Sequence, residues 1–177
     1  MKKVLVIGSG GSGKSTLARQ LGTVLGLEVL HLDRFYWQSG WVEPSKDWWL
    51  AKVEDLIGRE SWIIDGNYSG TLAQRIEASD TIIFLDLSPI LCLWRIVKRR
   101  VTYRSGNRPD MAEGCSERFN LAFFEWVFNY SRRSRPKVLK LIRENSSRKK
   151  IVWLRSRREV DSFLKHQRDS QCLIQTS

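Results

Sequence analysis

Hydrophobic positions along the chain follow two rhythms. Lys3-Val4-Leu5-Val6-Ile7 is a near-continuous apolar run, the pattern of a strand covered on both faces. Residues 14–26 place Leu17, Ala18, Leu21, Val24 and Leu25 at helical spacing and close on Gly26. Further strands are predicted at 28–32, 61–64, 81–85 and 150–154, with helical patterns around 72–76 and 158–165. Five buried-type strands separated by helices predict a parallel α/β sheet with right-handed crossovers. Two segments leave this alternation. Residues 33–60 carry Trp37, Trp41, Trp48 and Trp49 around the turn Glu43-Pro44-Ser45, and residues 104–118 have turn composition before a basic helical stretch. The tail from about His166 is polar and is expected to fray.

A chain of 177 residues buries roughly 70% of its unfolded surface, enough for a core without disulfides or metals. Its 42% hydrophobic and 28% charged residues exclude a disordered or membrane-spanning chain by composition. No apolar run approaches the roughly 20 residues that span a bilayer, and Val4–Ile7 is too short for the core of a signal peptide. The cysteines, Cys92, Cys115 and Cys172, are odd in number and form no CxxC pair, which fits reduced thiols and a cytoplasmic location. Charge is segregated. Residues 1–94 hold 9 Lys+Arg against 11 Asp+Glu, residues 95–158 hold 19 against 5, and the remainder holds 2 against 3. A net of +14 within one window points to a polyanionic partner, nucleotide phosphates, nucleic acid or anionic lipid, of which the first two are the serious candidates.

The chemistry begins right after the first strand. Gly8-Ser9-Gly10-Gly11-Ser12-Gly13-Lys14-Ser15 has the form GxxxxGKS and opens a helix, so the motif stands in its required strand–loop–helix context. Its glycines let successive backbone N–H groups approach phosphate oxygens, and the helix N-terminus adds about half a positive charge. In such loops the lysine, here Lys14, reaches the β- and γ-phosphates and the hydroxyl, here Ser15, ligates Mg²⁺. A chance match in a chain this long is on the order of one in a hundred or rarer. No Asn-Lys-x-Asp motif of a regulatory GTPase is present.

The chain resembles the nucleoside-monophosphate-kinase group of small P-loop kinases. Within that group it is most similar to the DNA topology modulation protein family, adenylate-kinase-related enzymes of poorly defined substrate. The resemblance rests on residues 8–15, His31-Leu32-Asp33-Arg34-Phe35-Tyr36-Trp37, Trp62-Ile63-Ile64-Asp65-Gly66-Asn67-Tyr68 and Trp94-Arg95-Ile96-Val97-Lys98-Arg99-Arg100. It extends to Arg108-Pro109-Asp110-Met111, Arg132-Arg133-Ser134-Arg135-Pro136 and Leu154-Arg155-Ser156-Arg157-Arg158. It implies a three-layer α/β/α P-loop fold whose five-stranded parallel sheet runs 2-3-1-4-5. It also implies one domain over 1–177: a core of about 1–32, 61–103 and 148–168, an acceptor-binding excursion at 33–60, a lid at 104–135, and a polar tail at 169–177.

The resemblance implies ATP bound by Gly8, Gly10, Gly11, Ser12, Gly13, Lys14, Ser15 and Thr16, with Arg95 and Arg99 contacting the adenine and phosphates. Arg95 and Arg99 are four apart and share one helical face. Asp33 and Asp65 each end a predicted strand, where parallel sheets place their ligand crevice. In the implied strand order Asp65 stands beside the phosphate loop and, with Ser15, holds magnesium and its water. Asp33 faces the acceptor, where it orients or deprotonates a hydroxyl; a turn or helix-capping carboxylate is the other reading of each. Arg132, Arg133 and Arg135 stand at the end of the lid region, and any one of the three is placed to close over the γ-phosphate; Arg132 is carried forward among the catalytic residues. Where adenylate kinases continue Asp-Gly with Phe-Pro-Arg, this chain has Asn67-Tyr68-Ser69, so that arginine's grip on an acceptor phosphate does not carry over.

The tryptophans of 33–60, with Phe35 and Tyr36, form either a base-stacking pocket or a small satellite core. His31 reads as a satisfied core position, the row Phe119, Phe123, Trp126 as core, and Asp86 as a strand-end or capping carboxylate. The sequence therefore leads to an ATP- and Mg²⁺-dependent small-molecule kinase. Lys14, Asp33, Arg99 and Arg132 carry its chemistry, a closing lid excludes water, and the acceptor is a nucleoside, nucleotide or related hydroxyl compound. A nucleic-acid-binding protein regulated by ATP is the second reading; no helix-turn-helix, zinc or β-ribbon reader accompanies it.

Overall fold

A computed structural model describes residues 1–102, 111–112, 114–115 and 121–175. In chain order the elements are β1 (Lys3–Gly8), α1 (Lys14–Leu25), β2 (Val29–His31), α2 (Leu32–Tyr36), α3 (Lys46–Gly58), β3 (Trp62–Asp65), a 3-10 turn (Ser69–Thr71) and α4 (Leu72–Ala78). There follow β4 (Thr81–Leu85), α5 (Pro89–Thr102), α6 (Leu121–Arg133), α7 (Arg135–Asn145), β5 (Lys150–Leu154) and α8 (Arg157–Gln175). Much of the expected lid, including Arg104, Arg108 and Phe119, lies outside the described residues.

All five strands pair in parallel in the order β2-β3-β1-β4-β5, as the resemblance implied. Side chains on β1 alternate between the two faces, as strand geometry requires. Val4 and Val6 pack with Ile63 and Ile83 under α1 and α8. Leu5 and Ile7 pack with Ile64, Ile82 and Phe84 under α3, α4 and α7. The result is three layers, helix on sheet on helix. A smaller cluster of Leu87, Cys92, Ile96 and Val127 joins α5 to α6 beyond the end of β4.

Local signals explain the element ends. Gly26 takes a left-handed conformation (φ 65°) and its N–H caps α1 on the Gly22 carbonyl. The Ser45 hydroxyl accepts from the Trp48 N–H at 3.3 Å to start α3. Two expectations are corrected. The second strand stops at His31, because Leu32 already opens α2. The polar tail does not fray at His166: α8 continues to Gln175, held by Leu164 and Gln167, which are buried.

Asp86 closes β4 as a cross-brace. Arg135 grips both its oxygens at 2.8 Å, and the Trp153 indole N–H donates to it at 3.0 Å. Partial burial opposes ionisation of Asp86, yet the bonds from Arg135 and Trp153 outweigh it and hold the carboxyl below its ordinary value of 3.8. A carboxylate whose folded pKa is depressed stabilises above the unfolded pKa and loses that contribution as pH falls through the folded one. Asp86→Asn is therefore expected to lower stability by about 1–3 kcal/mol at neutral pH. The loss shrinks below pH 3.8. Denaturant unfolding of both proteins across that range measures it; a pH-independent difference contradicts the assignment.

Candidate active site

The C-terminal ends of β2, β3 and β1 open onto a cavity of about 560 Å³. Its floor is the bend between β1 and α1. Gly11 and Gly13 have φ of 72° and 95°, a region open to glycine and strained for other residues. A Cβ on Gly11 would strike the Cys92 carbonyl of α5, whereas Gly13 faces the cavity with only Arg95 near, at 3.6 Å. Gly10 is held close under α6: a Cβ there would meet the Phe123 ring at 2.7 Å. The loop thus needs glycine on one side to fit beneath α5 and α6 and on the other to leave room for a ligand.

Lys14, Ser15 and Thr16 line the cavity beside Arg95 and Arg99. The Lys14 ammonium donates to the Ser9 carbonyl at 2.8 Å. Burial pulls its pKa below 10.5, while Asp65 and Asp33 pull the other way. Arg95 donates to the Ser12 carbonyl at 3.1 Å, tying α5 to the loop. Gly8 and Ser12 lie beneath the loop, where the Ser12 hydroxyl is buried without a hydrogen-bond partner among the described residues.

The opposite wall comes from β2 and β3. Asp65 is in register with Val6 on one side and His31 on the other. His31, buried as expected, donates from Nδ1 to Asp65 Oδ1 at 2.6 Å, so this core histidine orients a site carboxylate. Asn67 Oδ1 accepts from the Gly8 N–H at 3.2 Å, and the Tyr68 hydroxyl donates to Asp33 Oδ1 at 2.7 Å. Burial pushes the Tyr68 phenol far above 10, and the Asp33 charge adds to it, so the hydroxyl stays protonated as a donor.

The residue that organises this wall was not among the sequence candidates. Arg75 of α4 is wholly buried and donates to the carbonyls of Gly66, Asn67 and Tyr68 at 2.8, 2.5 and 2.8 Å, with Thr71 Oγ1 at 3.3 Å. Burial lowers its pKa to about 9, so it stays charged at neutral pH. A signal existed: Arg75 stands between Leu72 and Ile76 on the apolar face of its helix.

The aromatic residues divide. Trp37 and Trp41 line the cavity, with ring centroids 5.2 Å apart. Trp49 is buried against Tyr36 and Tyr68 as a satellite core, and Trp48 is exposed. Phe123 and Trp126 of α6 also reach the cavity. Arg132 and Arg133 are exposed at the end of α6 and do not line it, and Arg135 is committed to Asp86.

These residues suit a nucleotide with magnesium. The cavity-facing side of Gly13 leaves a hollow beside an ammonium and two guanidinium groups. The Ser15 hydroxyl and the Asp65 carboxylate are hard oxygen donors of the kind Mg²⁺ takes beside phosphate oxygens.

Strand order and phosphate loop together define a small P-loop kinase fold. No model of a known protein family matches the chain. Over 133 residues it is 29% identical to the uncharacterized protein YqaC of Bacillus subtilis, spanning 73% of this chain and 72% of that one. It is similar in structure to a gluconokinase of Sinorhizobium meliloti (TM-score 0.55, 14% identity, 98% and 93% of the two chains). It is likewise similar to a protein of Chloroflexus aurantiacus designated a kinase (TM-score 0.53, 18% identity, 96% and 98%). These likenesses are of fold. Among the described residues no helix is long and apolar enough to cross a membrane.

Proposed function

We propose that the protein is an ATP- and Mg²⁺-dependent phosphotransferase that moves the terminal phosphoryl group to the hydroxyl of a small acceptor. The observation that carries this reading is the meeting of Lys14 and Ser15 with Asp33 and Asp65 around one cavity. Lys14, Arg95 and Arg99 would hold the phosphate oxygens, where charge spreads during transfer. Ser15 and Asp65 would hold Mg²⁺, which shields phosphate charge. Asp33 takes the acceptor's proton as its oxygen bonds to the γ-phosphorus and the bond to the β,γ-bridging oxygen breaks. Tyr68, donating to Asp33, fixes the direction in which that carboxylate points. Arg132 stands outside the cavity lining, so it is not assigned to this step.

By its motifs we group the chain with the DNA topology modulation proteins. Nucleic-acid binding is the less favoured reading, because Arg95 and Arg99 face the cavity and Arg135 braces Asp86. The test is incubation with Mg-ATP and a broad panel of hydroxyl acceptors, followed by phosphorus NMR. A phosphorylated acceptor formed in step with ADP is expected; ADP with free phosphate alone, or no turnover, refutes the proposal.

A further inference from the structure

Asn67 lies two residues beyond the end of β3, half-buried, and lines the cavity. Its Oδ1 accepts from the Gly8 N–H at 3.2 Å. A backbone N–H bonds only the oxygen of a side-chain amide, so this contact fixes which way round the amide sits. The NH2 group is the end left over, and among the described residues it has no hydrogen-bond partner.

The residue is held from three sides. Arg75 donates to the Asn67 carbonyl at 2.5 Å, and the Gly8 N–H holds the amide oxygen. Gly66, just before it, presses so closely on Leu32 that a Cβ there would meet the Leu32 Cβ at 2.9 Å. A donor fixed in this way loses little freedom when a ligand arrives and needs no reorganisation as charge develops.

Its neighbours set what it faces. On one side is the phosphate loop, whose first residue, Gly8, it holds, and whose Lys14 lines the same cavity. On the other is Tyr68, the next residue in the chain, which donates at 2.7 Å to Asp33, the carboxylate assigned to the acceptor hydroxyl. The terminal phosphoryl group travels from the nucleotide to that hydroxyl. It therefore passes between the loop that Asn67 touches and the carboxylate that its neighbour touches.

We infer that Asn67 is a catalytic residue whose Nδ2 donates to an oxygen of the transferring phosphoryl group. This rests on the phosphotransferase reading and adds a residue to it. An amide suits the place. Phosphoryl oxygens only accept, and a neutral donor two residues from Asp65 adds a directed bond without forming an ion pair with the carboxylate assigned to Mg²⁺. Lys14, Arg95 and Arg99 supply charge, and Asn67 supplies direction.

The experiment is calorimetric titration of the full chain with Mg²⁺ and ADP, and separately with Mg²⁺ and β,γ-imido ATP, an analogue that carries the γ-phosphoryl group ADP lacks. Asn67→Ala is expected to weaken the analogue by about ten-fold or more beyond any change in ADP affinity, the effect of one lost hydrogen bond to a charged group. Asn67→Asp keeps an oxygen for the Gly8 N–H and replaces the donors with an anionic oxygen, so it loses the analogue selectively as well. A residue that only anchored Gly8 would behave differently: alanine would weaken both nucleotides alike, and aspartate neither. That result, or an unchanged ratio of analogue to ADP affinity in Asn67→Ala, overturns the inference and leaves the kinase reading standing. So does a wild-type protein that binds ADP but not the analogue. If thermal melting shows that the alanine variant does not fold, the same ratio in Asn67→Asp decides. A wild-type protein that binds neither nucleotide refutes the phosphotransferase reading and this inference with it.

Discussion

Lys14→Ala is expected to lower phosphoryl transfer by about 10³-fold or more while leaving the thermal midpoint nearly unchanged. The two halves of that expectation have separate causes. Lys14 is half-buried and belongs to none of the three apolar clusters. Its ammonium is bonded to the Ser9 carbonyl, and burial already works against its charge. Removing it deletes one hydrogen bond and relieves one desolvated charge, effects of opposite sign within about 1 kcal/mol of each other. Transfer has no such compensation, because no other ammonium lines the described cavity. Initial rates and thermal melting on the same preparation measure both halves, and wild-type turnover in the variant would remove the phosphate loop from the mechanism. The lowered pKa adds a pH signature. Bound phosphate raises it again, so binding takes up a proton, and affinity falls as pH climbs through the free protein's Lys14 pKa, below 10.5.

The phosphate loop was legible because everything that defines it is local: an apolar strand, glycines at fixed offsets, and a helix whose apolar positions recur from Leu17. Asp65 was legible for a related reason, since the end of a parallel strand is a known place relative to the crevice; Asp33, expected at a strand end, stands instead in the first turn of α2 and lines the cavity from there. What escaped depends on partners without a sequence signature. The atoms that Arg75 binds are mainly backbone carbonyls, present in every residue. Asp86 and Arg135 are 49 positions apart, and nothing along the chain pairs them or withdraws Arg135 from the arginines expected to serve a γ-phosphate. Composition also could not divide the tryptophans. Trp48 and Trp49 are neighbours on α3, yet one helical step of about 100° leaves the first 48% exposed and the second 7%. Trp37 and Trp41 reach the cavity because α2 ends at Tyr36 and the chain turns through Gly40.

Arg75→Met is expected to be the most damaging substitution among the residues that touch no substrate. The guanidinium satisfies three consecutive carbonyls in a loop that has Tyr68 at a strained φ of 26°. Methionine fills most of the space but leaves those oxygens without a donor in a buried place, at about 1–3 kcal/mol for each group left unpaired. Relief of the buried charge offsets part of this, so a net loss of about 3 kcal/mol is expected, or roughly 6–12 °C in melting temperature for a chain of this size. Activity should suffer beyond stability, because the same loop carries the Asn67 bond to Gly8 and the Tyr68 bond to Asp33. Arg75→Lys is the informative partner. It keeps the charge, but a compact ammonium lacks the planar fork that spans three carbonyls. Partial recovery of stability with a persistently raised KM for the acceptor would identify Arg75 as the residue that positions Tyr68 and, through it, Asp33. If instead the methionine variant melts and turns over like the wild type, the loop supports itself and the guanidinium plays no part in setting the carboxylates.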